Sequence, residues 1–66
     1  MRHFNIAVYF DWNYYRTDYY TVIAESRQAA LDLLQKKIGK GFRVRAVEER
    51  ALEKYDKPNT VECANW

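Results

Sequence analysis

The chain has one cysteine, Cys63, so no internal disulfide can form. A secreted domain of 66 residues ordinarily carries several bridges, so the expected location is the cytoplasm. There is no apolar run near the roughly 18 residues of a membrane span, no signal-peptide core in residues 1–10 and no Asn-x-Ser/Thr sequon. The one histidine, His3, and the one cysteine cannot together make a zinc site of Cys/His type. Gly39-Lys40-Gly41 lacks the spacing of a phosphate loop. Glu48 and Glu49 are adjacent, so on a strand they point to opposite faces and form no carboxylate pair. No nucleophile and base stand in a recognisable constellation. The expectation is a binding protein rather than an enzyme, with no catalytic residues, no metal and no cofactor. His3 is expected to be a solvated strand residue, and Cys63 a small apolar filler.

Aromatic residues, by contrast, are plentiful at 17% of the chain, and apolar types reach 48%. A chain this short buries only about 60% of the surface it exposes unfolded, so its core must come from few, large side chains. The length allows a single domain spanning residues 1–66. The net charge of +2 is unevenly spread. Residues 1–24 are neutral overall. Residues 25–45 carry Arg27, Lys36, Lys37, Lys40, Arg43 and Arg45 against Glu25 and Asp32, and residues 46–66 are mildly acidic. The basic block either meets an anionic partner or solvates a helix and a strand.

Residues 3–10 alternate strictly. Phe4, Ile6, Val8 and Phe10 face one way, His3, Asn5, Ala7 and Tyr9 the other, the mark of a half-buried strand. Without an Asn-Gly or Asp-Gly pair, the connection from Asp11 through Arg16 is predicted to be a longer hairpin loop. A second strand follows over 18–25, with Tyr20, Val22 and Ala24 inward and Tyr19, Thr21 and Ile23 outward. Ser26 is a good N-cap for a helix over 27–38. Ala30, Leu33, Leu34 and Ile38 form its apolar stripe, with Leu31 at the margin. Gly39 supplies the stop. A third strand over 42–47 places Phe42, Val44 and Ala46 inward and Arg43, Arg45 and Val47 outward. Residues 50–55 read as a strand or a helical turn. Asp56-Lys57-Pro58-Asn59 is a turn, and 60–64 a short last strand.

The result is an α+β fold: a small antiparallel sheet with one amphipathic helix on one face, in the order β-β-α-β, closed by a C-terminal β-hairpin. The right-handed crossover rule puts the first strand between the second and third. The other sheet face is left without a helix. It carries Tyr9, Tyr19, Ile23, Arg43, Arg45 and Val47, with Trp12, Tyr14 and Tyr15 in the adjacent loop. Tyr, Trp and Arg are the types enriched at binding hot spots, and aromatics beside arginine also suit single-stranded nucleic acid. An ordinary solvated sheet face, with cross-strand tyrosine pairs contributing roughly 0.2–1 kcal/mol each, is the alternative. The candidate binding residues are Tyr9, Tyr14, Tyr15, Tyr19, Lys36, Lys37, Lys40, Arg43 and Arg45.

Tyr19 to Leu34, YYTVIAESRQAALDLL, runs from a strand through Ala-Glu-Ser into an alanine-rich helix, a pattern common in very small phage and mobile-element proteins. In layout the chain resembles a small anti-CRISPR family that inhibits type I-F systems. The shared points are Ala24-Glu25-Ser26 followed by Ala29, a basic helix, a strand after Gly41, and Val61-Glu62-Cys63 near the end. The tyrosine-rich stretch 12–20 departs from that pattern. The resemblance implies a cytoplasmic inhibitor, acting in a bacterial host, that docks on the crRNA-guided surveillance complex. It would block hybridisation of target DNA; the candidates for contact with DNA or RNA, chosen by their own location in this chain and not by a match to the family, are Lys36, Lys37, Lys40, Arg43 and Arg45. A mimic of DNA should be acidic and this chain is net basic, so any block must be steric or made through polar contacts. Two alternatives stand beside it: a direct nucleic-acid-binding module, and an oligomeric protein such as a homodimer paired through an edge strand.

Overall fold

The computed structural model describes residues 1–64. Strand β1 is Arg2–Phe10, β2 is Asn13–Ala24, helix α1 is Arg27–Ile38, β3 is Phe42–Arg50 and β4 is Thr60–Ala64. They form the expected α+β domain, with a four-stranded sheet in the order β3-β1-β2-β4 and every neighbouring pair antiparallel. The first strand does fit between the second and third. Among the described residues the terminal hairpin does not form. Residues 51–59 make turns rather than a strand, and β4 pairs with β2 at the far edge. β3 ends opposite His3, so the chain must cross the sheet before β4 can run antiparallel to β2.

The helix-facing side is the core. Phe4, Ile6, Val8, Val22 and Ala24 from the sheet meet Ala30 and Leu34 from the helix, all essentially inaccessible to water. Leu31, Leu33, Ile38, Phe42, Val47 and Val61 pack around them. Each fully buried Leu, Ile, Val or Phe contributes about 1.5–3 kcal/mol, so this layer carries the fold. Ser26 starts the helix with backbone in the extended region, its hydroxyl accepting the Ala29 N–H at 3.1 Å. Gly39 ends it at φ 91°, a left-handed value that needs no Cβ, and its N–H donates to the Gln35 carbonyl at 2.8 Å.

Four local departures follow from long-range placement. β2 begins at Asn13, so the first connection is the two-residue turn Asp11–Trp12 instead of a long loop. The mismatch is absorbed inside the ladder, where Phe10 pairs with Asn13 and Val8 with Asp18. β3 holds one extra residue between Val44, which pairs with Val8, and Ala46, which pairs with Ala7. A bulge of this kind reverses side-chain parity beyond it. Val47 therefore joins Ile6 on the helix side, while Ala46 takes the open face beside Ala7, the reverse of the alternation-based expectation. Ile23 does face away from the helix, but it is buried because residues 55–60 lie over it. Cys63 is exposed instead of a core filler, since β4 is an edge strand of which Val61 packs on the core.

Candidate docking surface

The β1–β2 turn, the start of β3 and the end of α1 all lie at one end of the sheet, here the hairpin end. Phe42 pairs with Phe10, and only residues 39–41 separate it from the helix. On the open face at this end, Tyr9 pairs with Arg43 across β1 and β3. The β3 bulge aims Arg45 into the same cluster. Its guanidinium carbon lies 4.4 Å from the Tyr9 ring centre and 5.3 Å from that of Tyr14. Its Nη2 donates to the Tyr14 carbonyl at 2.7 Å. Tyr14 meets Tyr9 edge to face at 5.7 Å and Tyr15 at 5.5 Å, the geometry ring quadrupoles favour. The bulge and the irregular hairpin register thus combine to hold a cationic plane against two rings.

Arg43 donates from Nε to Asp11 Oδ1 at 2.9 Å, and this hydrogen bond and the Asp11 charge raise its pKa further above its already high value. Behind the turn, on the helix side, Trp12 stacks on Phe10 at 5.5 Å with the rings 26° apart. Three of these rings project into solvent: Tyr15 is 94% exposed, Trp12 76% and Tyr14 58%. The surface is aromatic at its tip, and of its two arginines Arg43 is paired with a carboxylate while Arg45 bonds to a carbonyl and two rings.

Of the candidate residues, Tyr9, Tyr14, Tyr15, Arg43 and Arg45 come together. Tyr19 lies farther along the open face, half-buried and paired with Ala7 and Ala64. Lys36, Lys37 and Lys40 reach the same end of the molecule but on the helix layer, all exposed. Lys36 and Lys40 line a shallow depression with Asp32 and Gln35. The basic block of the sequence is therefore divided between two faces. Asp11 and Trp12 belong to the cluster although sequence reading did not select them as binding residues. A turn carboxylate preceding an exposed aromatic was the available signal.

The opposite end of the open face is closed. His3 is buried there instead of solvated. Its Nδ1 donates to Asp56 Oδ2 at 2.8 Å, and its Nε2 lies 3.1 Å from Asn5 Oδ1, which also accepts the Thr21 hydroxyl at 3.1 Å. Asp56 Oδ2 additionally accepts the Glu53 backbone N–H at 2.9 Å. That bond first, and the His3 bond second, hold the Asp56 carboxyl below the usual carboxylate value.

Compared with family models, curated proteins and solved structures, this chain matches none. Among the described residues no group of three or more His, Cys, Asp or Glu is placed to hold a metal ion, and no helix is long and apolar enough to cross a membrane.

Proposed function

We propose that this domain is a non-catalytic docking protein that engages a protein partner through the hairpin end, with Tyr14, Tyr15 and Trp12 as anchors and Tyr9, Arg43 and Arg45 as their support. One observation carries the reading. The two arginines nearest the rings are already bonded within the domain, Arg43 to Asp11 and Arg45 to the Tyr14 carbonyl, while the aromatic faces are left to solvent. Exposed aromatics braced from behind, Tyr14 by Arg45 and Trp12 by Phe10, favour a hot-spot contact that buries rings. The partner put forward is a nucleic-acid-handling assembly of bacterial immunity, with the type I-F surveillance complex first because of the resemblance in layout. In that role the domain acts as an inhibitor, blocking target DNA by occupying a protein surface rather than by mimicking its charge.

The test is capture of purified surveillance complex by the immobilised domain, paired with a mobility-shift assay of target-DNA binding and with phage plaquing under CRISPR immunity. The reading expects capture, loss of DNA binding and restored plaquing, all abolished by Tyr15→Ala combined with Trp12→Ala while circular dichroism is unchanged. No capture and unaltered plaquing would refute it. Charge reversal at Arg45 is the poorer probe, because that side chain holds the hairpin itself.

A second reading rests on Lys36, Lys37 and Lys40, for which no ion pair is found among the described residues. Direct nucleic-acid binding through them predicts an affinity that falls steeply with salt, the slope counting the phosphates contacted. A flat salt response in the mobility assay eliminates it.

A further inference from the structure

The two layers against the sheet differ in chemistry. Between helix and sheet lie Phe4, Ile6, Val8, Val22, Ala30 and Leu34, none of which can be wetted without loss. Beneath residues 51–59 lie His3, Asn5 and Thr21, polar groups that water can satisfy equally well, with Ile23 the one large apolar residue. This segment is tied down at Asp56, where a single carboxylate oxygen accepts both the His3 ring and the Glu53 N–H. The Asp56 N–H returns a bond to the Glu53 carbonyl at 3.1 Å, closing a small turn. The His3 and Asp56 side chains are only 11% and 15% exposed. On either side of this tie, Leu52, Lys54, Tyr55 and Lys57 are exposed.

We infer that residues 51–59 form a strap, fastened to the open face by the Asp56–His3 contact, that opens as a unit separate from the helix-covered core and controls how much of that face a partner can reach. A segment with a polar underside and few fastenings, the Asp56–His3 contact over the face and the Thr60 hydroxyl on the Lys57 carbonyl at 2.8 Å beside β4, sits at the low end of a protein's local stabilities. Lifting it uncovers His3, Asn5, Thr21 and Ile23, which continue the face from Tyr9 past Ala7. In functional terms the strap rests on the docking reading. Closed, it confines contact to the hairpin end; open, it lengthens the surface along β1 and β2. Its existence does not depend on any partner and is tested without one.

The experiment is limited trypsinolysis of the full chain, following cleavage after Lys54 by mass spectrometry, together with amide hydrogen exchange at Ile6 and Val22. Lys57 is followed by proline and is a poor trypsin site, so Lys54 reports the strap. When opening is fast relative to cleavage, the rate follows the open population. Asp56→Ala removes two bonds to a charged acceptor and should speed cleavage after Lys54 about tenfold or more, with Ile6 and Val22 exchange unchanged. His3→Gln, which keeps a donor beneath the strap, should give a smaller increase. Equal cleavage of wild type and Asp56→Ala would overturn the strap. So would a matching rise in Ile6 and Val22 exchange, because the segment would then be integral to the core.

Discussion

Arg45→Ala is the sharpest perturbation of the hairpin end. The substitution removes one guanidinium that sits 4.4 Å over Tyr9 and 5.3 Å from Tyr14, and with it the 2.7 Å bond to the Tyr14 carbonyl. At an exposed site a cation–π contact contributes about 0.5–1 kcal/mol, and a net hydrogen bond about 0.5–1.5 kcal/mol. The two rings share one cation, so their contributions do not simply add. The expected loss is about 1.5 kcal/mol, or roughly 6–12 °C in Tm for a domain of this size. Urea denaturation followed by circular dichroism measures it, with the m-value unchanged because the buried surface is the same. Arg45→Lys should recover little of the loss, since an ammonium has no plane to lay on the Tyr9 ring while bonding the Tyr14 carbonyl. A cycle pairing Arg45→Ala with Tyr9→Leu should show coupling. A loss below about 0.3 kcal/mol, or full rescue by lysine, would mean that the cluster is a loose solvated surface and that the rings are not held in place for a partner.

Three other outcomes follow from the same geometry. Leu34→Asp should abolish folding in circular dichroism, because it puts a carboxylate with no partner among Phe4, Ile6, Val8 and Val22, and Leu34→Ala should cost about 2–5 kcal/mol in urea titration. Ser26→Ala should cost about 1 kcal/mol by the same assay, through loss of the bond to the Ala29 N–H. The Asp56 carboxyl lies below its ordinary 3.8 in the folded state, so its stabilisation is fully present above that value and is lost as pH falls through the lower folded value. Because trypsin is inactive at acid pH, the readout is exchange at the Glu53 amide, which should accelerate, relative to Asp56→Asn, as the pH is lowered from 5 towards 2. His3 and the Glu53 backbone N–H contact the carboxylate, Arg50 and Glu48 pair cross-strand with His3 and Asn5, and the Asp56→Asn reference removes the share of other titrating groups.

The alternation of Phe4, Ile6 and Val8, the Leu34 stripe, the Ser26 cap and the Gly39 stop sit where local spacing puts them, because period and capping are properties of neighbouring residues. The strand order followed too, since crossover handedness leaves little choice for strand, strand, helix, strand. Placement of Tyr9 and Arg43 on the uncovered face was legible from strand alternation, whereas Arg45 reaches it through the β3 bulge. What depended on partners distant in sequence was not. The extra residue at Arg45 is defined only by pairing with Val8 and Ala7, and it exchanged Ala46 and Val47 between faces. The early start of β2 at Asn13 came from Phe10 across the turn. Burial of His3 and Ile23 depended on residues 51–59, whose course is fixed by β4 pairing with β2. Local pattern thus determined the elements and the apolar side of the sheet. Register and the path of the C-terminal segment, set by long-range hydrogen bonding that has no sequence period, decided which part of the other side stays open.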